Sequence, residues 1–250
     1  MPDELSRFQI TSPSWAERAE LGELHSVLSP FASEKRNVFL HSTQLVAAKV
    51  ALSLNRDKDN PVIIDFGCGT GRFVRFFGRR GASVTGVDIT MEMLLAARRF
   101  GVPERCHLVE IDGINIPLPD QSVDMIWCCG VLRFSLLVPN PVYRDIAKEM
   151  YRVLKPGGFV VNIEMYVDNP PRAFTRDFED AGFVTKDMRI VQRYSGRFEN
   201  YCLSPRLPLG FVKMGGRLCA AWRLRFDSAT KATPGLRDYL FVWAKQEGEN

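Results

Sequence analysis

Val62-Ile63-Ile64-Asp65-Phe66-Gly67-Cys68-Gly69-Thr70-Gly71 is the stretch whose reading decides the fold. Three apolar β-branched residues make a buried strand. An acid and three alternating glycines follow. Arg72-Phe73-Val74-Arg75-Phe76-Phe77 then opens a helix with its aromatics on one side. A strand that bends through glycines into a helix is a ligand cradle. Glycine lets the backbone approach a bound molecule, and the first helical N–H groups are left to donate.

Outward from this stretch, strands and helices alternate. Residues 1–13 read as a loose arm. Ser14, with Glu17 three residues on, is a capping-box helix start, and Trp15, Ala19, Leu24, Val27 and Leu28 carry the apolar pattern to Pro30. A second helix runs from about Glu34 to Leu54, with Val38, Leu45 and Leu52 on one face, and Asn55–Pro61 is a polar loop. On the other side, Arg79-Arg80-Gly81 gives the first core helix a basic last turn and a glycine cap. Ser83–Asp88 is the second strand, and Thr90 caps a helix from Met91 to Phe100. His107–Asp112 is the third strand, and both of these strands end on an acid. After the turn-rich Pro117–Ser122, Val123–Cys128 is the fourth strand and Pro141 opens a helix reaching Leu154. Lys155-Pro156-Gly157-Gly158 is a sharp stop before a fifth strand, Phe159–Glu164. A short helix (Arg172–Ala181), a sixth strand near Lys186–Arg193 and a last strand, Tyr239–Ala244, complete the pattern. The alternation argues a parallel sheet wrapped on both faces. Between the last two strands, Tyr194 to Asp238 reads as a long segment of low regularity, functional or an added subdomain rather than an idle loop.

Composition is that of a soluble globular chain: 250 residues, 46% apolar, 25% charged, formal net charge +4. The N-terminus has no basic n-region or apolar h-region, and no apolar run approaches a membrane span. The six cysteines are scattered apart from Cys128-Cys129, and no CxxC occurs. Neither a disulfide framework nor a zinc site is indicated, which implies reduced thiols and a cytoplasmic location. Adjacent cysteines on a strand point to opposite faces, so this pair chelates poorly and reads as small buried hydrophobes.

Spacing narrows the ligand. The glycines read Gly67-x-Gly69-x-Gly71, whereas a dinucleotide fingerprint reads G-x-G-x-x-G and would place its third glycine at Arg72. A pyrophosphate is therefore disfavoured. Asp88, at the end of the second strand, suits the two hydroxyls of a ribose, and Asp112 is placed to accept from the exocyclic amine of adenine. Three acids at three neighbouring strand ends, without a phosphate-seeking lysine, suggest a nucleoside carrying positive charge.

At this point the chain resembles the class I S-adenosylmethionine-dependent methyltransferases, of the small-molecule group that includes the ubiquinone/menaquinone-biosynthesis enzymes. The matching pieces are Asp65-x-Gly67-x-Gly69-x-Gly71, Val87-Asp88-Ile89, Asp112 with Ile116-Pro117-Leu118-Pro119-Asp120-Gln121-Ser122-Val123-Asp124, and Glu149-Met150-Tyr151-Arg152-Val153-Leu154-Lys155-Pro156-Gly157-Gly158. They occur in the family's order and spacing across roughly residues 60–165. The resemblance implies a Rossmann-like α/β fold: a seven-stranded, mostly parallel sheet with helices on both faces and the last strand antiparallel. It implies S-adenosylmethionine as cofactor, with Asp65 and the loop Gly67, Cys68, Gly69 and Gly71 around its methionine part. Asp88 would grip the ribose and Ile89 lie on the adenine face. Asp112 and Gly113 would read the adenine edge, and Cys129 and Gly130 line the methyl-donor end. One departure stands out: where relatives often read Val-Leu-x-His, this chain has Val131-Leu132-Arg133-Phe134.

Methyl transfer is an in-line displacement, and a base is needed chiefly for an acceptor that is a weak acid. Catalytic candidates are His41 in the second helix, Arg133 as a site for an anionic group, and Glu164 and Tyr166, with Asp168, after the fifth strand. Each of these also reads as a plain structural or surface residue. His25 and His107 read as structural, and no metal site is expected. Arg72, Arg75, Arg79 and Arg80 read as the solvated face of an amphipathic helix. Between Arg189 and Arg237 stand ten basic residues against two acids, a net of +8, interleaved with Phe198, Tyr201, Phe211, Trp222 and Phe226. That segment suits a substrate cap over an anionic or aromatic acceptor, or an anionic membrane surface, with nucleic acid last.

The expected organisation is one methyltransferase domain over 1–250: a helical arm (1–60), a cofactor-binding core (61–193), a basic insertion (194–237), and a last strand and tail (238–250). The expected function is S-adenosylmethionine-dependent methyl transfer to a small or lipid-like acceptor. A non-catalytic methyltransferase-like binding protein and a nicotinamide-dependent oxidoreductase are the alternatives.

Overall fold

The computed structural model describes residues 14–132, 142–167, 172–193, 197–226 and 236–246. Seven strands form one sheet: β1 (Val62–Phe66), β2 (Ser83–Asp88), β3 (Cys106–Glu110), β4 (Val123–Cys129), β5 (Leu154–Val167), β6 (Phe183–Arg193) and β7 (Leu236–Lys245). Their order is β3-β2-β1-β4-β5-β7-β6. The pairs from β3 to β5 are parallel, and β7 runs antiparallel to both β5 and β6. The expected sheet is therefore present, and chain order reverses beside β1, where open α/β sheets bind ligands.

Alternation along β1 sends neighbouring residues to opposite faces. Ile64 and Phe66 join Ile126, Cys128, Ile146 and Met150 in one apolar layer. Ile63 joins Val84, Trp127, Phe73 and Phe77 in the other. In the first layer Phe178, Trp243 and Phe241 stack nearly parallel, with centroids 4.1 and 5.1 Å apart.

The helices are α1 (Trp15–Arg18), α2 (Glu23–Val27), α3 (Glu34–Ser53), α4 (Arg72–Gly78), α5 (Met91–Arg99), α6 (Val142–Val153), α7 (Arg172–Asp180), α8 (Arg197–Cys202) and α9 (Leu209–Phe226). The Ser14–Glu17 capping box forms as read. The first helix does not run on to Pro30: Gly22, at φ 89°, breaks it into α1 and α2. Lys155–Gly158 is no stop either. β5 starts at Leu154, pairs with Val123, then bulges so that Phe159 is the next partner, opposite Met125. Gly157, at φ 72°, makes that bulge.

The described part of the segment between β6 and β7, residues 197–226, is largely helical. It folds into α8 and the 18-residue α9. A glycine pair inside α9 lets it lie directly on α3. A Cβ on Gly216 would stand 2.8 Å from the Phe39 carbonyl oxygen, and one on Gly215 would run into Cys202. Lys35 fastens the α8–α9 connection by donating to the carbonyls of Ser204, Pro205 and Leu207 at 3.0, 2.7 and 2.6 Å.

Candidate cofactor and methyl-transfer site

The glycine loop leaves β1 and crosses to the end of β2. Gly67 and Cys68 both donate backbone N–H groups to the Val87 carbonyl, at 2.8 and 2.9 Å. Gly69 donates to Asp88 Oδ2 at 2.7 Å, and Thr90 donates to Asp88 Oδ1 at 3.0 Å. The three glycines take φ values of 69°, 51° and 72°, which side chains with a Cβ rarely adopt. Space gives a second reason for glycine. A Cβ at Gly67 would collide with Val131, and one at Gly69 would stand 2.5 Å from Val27.

Two acids face this loop. Asp88 lies on the cavity wall with both oxygens held by amides. Burial raises its pKa, with those amides opposing. Asp65 is 2% exposed, and its Oδ2 has no hydrogen-bond partner among the described residues. Burial pushes its carboxyl up to about 7, with Arg72 pulling the other way. A buried acid with an orphaned oxygen on a cavity wall is where a ligand cation belongs.

The cavity itself holds about 390 Å³, within the range of small-molecule sites. Asp65, Gly67, Cys68, Gly69, Asp88, Ile89, Gly113, Cys129 and Gly130 line it. Its glycine cradle, hydroxyl-accepting carboxylate and unpartnered buried acid suit a cationic nucleoside such as S-adenosylmethionine.

Residues 64–162 match the family model described as "Methyltransferase domain". That stretch is a class I S-adenosylmethionine-dependent methyltransferase domain. The malonyl-[acyl-carrier protein] O-methyltransferase of Enterobacter lignolyticus is 30% identical over 109 residues, 44% of this chain and 41% of that protein. The sterol 4-C-methyltransferase of Caenorhabditis elegans is 26% identical over 215 residues, 73% of this chain and 61% of that protein. The chain matches only about two fifths of the length of the malonyl relatives. In fold it resembles geranyl diphosphate C-methyltransferase from Streptomyces coelicolor A3(2), at a TM-score of 0.57 and 17% identity, over 88% of this chain and 86% of that one.

The methyltransferase site departs from the sequence reading at several residues. Gly71 and Asp112 are not among the lining residues. Gly71 is the left-handed N-cap of α4, close against Ala97, and serves the bend. Asp112 lies two residues past β3, exposed, and its carboxylate accepts from the Ile114 and Asn115 amides and the Asn115 side chain, at 2.9, 2.8 and 2.5 Å. Those bonds hold its pKa low and turn the carboxylate into the loop.

Arg72 and Arg75 are not on a solvated face: both are 6% exposed. Arg72 lines the methyltransferase cavity and donates to Gln44 Oε1 at 2.5 Å and toward Cys129 Sγ at 3.6 Å, with His41 Nδ1 at 3.2 Å. It fills the place where a dinucleotide loop has its third glycine. Arg75 pairs with Glu23 and donates to the Thr70 carbonyl at 2.8 Å.

His41 stands behind Arg72 rather than on the cavity wall. Burial first, then Arg72, Arg75, Lys213 and Arg217, lowers its pKa to about 3, so the ring is neutral at ordinary pH. Cys129 is kept a thiol: burial pushes it up to about 12. Glu164 is not among the residues lining the cavity. It is 1% exposed, and its Oε1 accepts from the Val131 and Leu132 amides at 2.8 and 2.7 Å, fixing the loop after β4. Tyr166 pairs with Arg237 of β7, with its side chain outside the described residues. Arg133 and Asp168 also lie outside them.

The sequence reading missed Trp15 and Val27, which line the cavity from α1 and α2. The capping box located Trp15 at a helix start, but nothing local pointed that helix at the cavity. Contacts with the core hold the arm there: Thr70 Oγ1 donates to the Glu23 carbonyl at 3.0 Å, Arg75 pairs with Glu23, and Arg99 pairs with Glu20 at 2.8 Å, while Arg18 braces the arm itself by donating to the Leu28 carbonyl at 2.9 Å.

Proposed function

We propose that this chain transfers the methyl group of S-adenosylmethionine to a small or lipid-like acceptor that carries negative charge, by direct displacement. The observation that carries the reading is the cavity built on the glycine loop, with the free oxygen of Asp65 and the two amide-held oxygens of Asp88 on its wall. S-adenosylmethionine supplies a methyl group on a sulfonium, already activated. What the chain adds is a fixed orientation and a wall against water, from the loop below and from Trp15 and Val27 above.

The charge of the acceptor is read from Arg72. Its hydrogen-bond partners among the described residues are Gln44, His41 and Cys129, all neutral, and the carboxyl it interacts with, Asp65, is itself pushed up to about 7 by burial and forms no ion pair with it there. A buried guanidinium on a cavity wall with neutral partners favours an anion. Two relatives carry names with anionic acceptors, a malonyl group in one and a diphosphate in the other. An acceptor already ionised at its nucleophile needs no base, which suits a site whose nearest imidazole is set back behind Arg72.

Methyl-labelled S-adenosylmethionine, offered with a malonyl thioester, a prenyl diphosphate and a sterol, tests this. Label should pass to an anionic acceptor. Arg72→Gln should raise the acceptor KM by about tenfold or more and leave S-adenosylhomocysteine affinity within about threefold. Transfer to the sterol alone would remove the anionic reading. No transfer to any acceptor, with S-adenosylhomocysteine still bound, would favour a binding protein.

A further inference from the structure

α9 leaves one face uncovered. At 3.6 residues per turn, Phe211, Met214, Leu218, Trp222 and Phe226 fall within an arc of about 120°. Their exposures are 54, 50, 57, 59 and 65%. The opposite side, with Val212, Gly216 and Ala220, is buried. Five large apolar side chains in one stripe exceed the scattered surface hydrophobes of ordinary soluble domains.

The charges around the stripe say what covers it. Lys213, Arg217 and Arg225 are exposed, and α9 contains no acidic residue. The one acid of α8, Glu199, is 2% exposed and turned inward, bonded to the buried Arg223 at 2.7 Å. Arg237 is likewise buried, at 1% exposure, and Arg189 pairs with Asp187 at 2.7 Å. Among the described side chains the basic patch read from sequence thus narrows to a few outward cations beside an aromatic and aliphatic stripe, while those of Arg193, Arg197 and Lys231 lie outside them. Trp, Phe and Leu on one face, with Arg217 and Arg225 at its edge and no carboxylate in the helix, is the make-up of a helix that lies in a lipid interface. Among the described residues no helix is long and apolar enough to cross a membrane.

We propose that α9 docks flat on an anionic lipid surface. Phe211, Leu218 and Trp222 enter the acyl boundary, and Arg217 and Arg225 meet headgroup phosphates. A purely electrostatic partner, such as an acidic carrier protein, would call for charge at the centre of the face, where this chain has apolar bulk. The proposal stands apart from the acceptor reading, since the stripe faces away from the sheet and shares none of the cavity's lining residues.

Sedimentation of the full chain with neutral phosphatidylcholine vesicles, and with vesicles containing about 30% phosphatidylserine, tests it. Binding to the anionic vesicles should be at least about tenfold tighter and should weaken with salt. Trp222 emission should shift to shorter wavelength on binding, a change absent in Trp222→Phe. The double variants Leu218→Ser with Trp222→Ser, and Arg217→Glu with Arg225→Glu, should each lose about tenfold or more in vesicle affinity. Their S-adenosylhomocysteine affinity, read by calorimetry, should not change, which also shows that they fold. No vesicle binding, or binding that these variants do not alter, overturns the proposal. So does a lipid-free dimer that the Leu218/Trp222 variant abolishes, which gives the face to a second copy. Binding of an acidic carrier protein without vesicle binding overturns it in favour of a protein partner.

Discussion

At the scale of single residues, two carboxylates at adjacent strand ends do opposite things. Asp88 lies on the cavity wall, fixed by two amides. Asp88→Ala should weaken S-adenosylhomocysteine binding by about 10–100-fold, the loss expected for hydrogen bonds to a charged group, measured by calorimetry. Asp65 is tuned by burial, from the ordinary 3.8 up to about 7. Between those values the folded state holds a proton that the unfolded state has lost. This residue's contribution to stability therefore falls as pH rises from about 4 to about 7. Melting curves of cofactor-free protein at about pH 5 and about pH 7.5 should show a steeper loss than in Asp65→Asn, with a difference on the order of a few kcal/mol. A slope unchanged by the substitution would show that Asp65 is not the titrating group. Binding of a cationic cofactor against Asp65 at about pH 6 should release a proton, seen as an enthalpy that changes with the buffer's ionisation heat.

At the scale of elements, close packing outweighs helix propensity in α9. Gly216 sits mid-helix, where alanine would ordinarily gain about 1 kcal/mol. The added methyl would meet the Phe39 carbonyl at 2.8 Å and the Ser42 side chain at 3.0 Å. Overpacking of that kind costs roughly 1–3 kcal/mol, so Gly216→Ala should lower stability in urea unfolding rather than raise it. The glycine pair also explains why α9 was hidden from a periodic reading: it interrupts the apolar pattern at the point of closest approach. The arm gives a similar lesson. Glu23→Ala removes the partner of the buried Arg75 and should speed release of S-adenosylhomocysteine several-fold in stopped-flow, together with a fall in melting temperature.

At the scale of the whole molecule, α9 shares the core of the sheet, and α8 packs with α9 and α3 through Cys202, Cys219 and Phe39. Ala220 and Leu224 lie in the same apolar layer as Ala47, Ala51 and Trp127. Heat unfolding should therefore give one transition, coincident by circular dichroism and by tryptophan fluorescence. The sheet and the loop were legible in sequence because their determinants are local: β-branched runs, glycine spacing, acids after strands. Asp112 misled because an acid at a strand end looks the same whether it faces a ligand or its own turn, although Asp112-Gly113 with Asn115 is itself turn chemistry. Arg72 and Arg75 misled because their partners Gln44, His41 and Glu23 arrive from distant helices, and no helical pattern reveals a buried cation's partner. Trp15 and Val27 reach the cavity in the same non-local way. One topological fact bears on how the molecule is made. β7 lies between β5 and β6, so β6 gains its neighbour in the sheet only after synthesis has passed Lys245. During translation the cofactor-binding strands β1 to β5 can assemble while β6 waits as an orphan, its edge bare to other nascent chains. A ribosome stalled between β6 and β7 would hold a half-closed sheet, the form of this protein most in need of a chaperone.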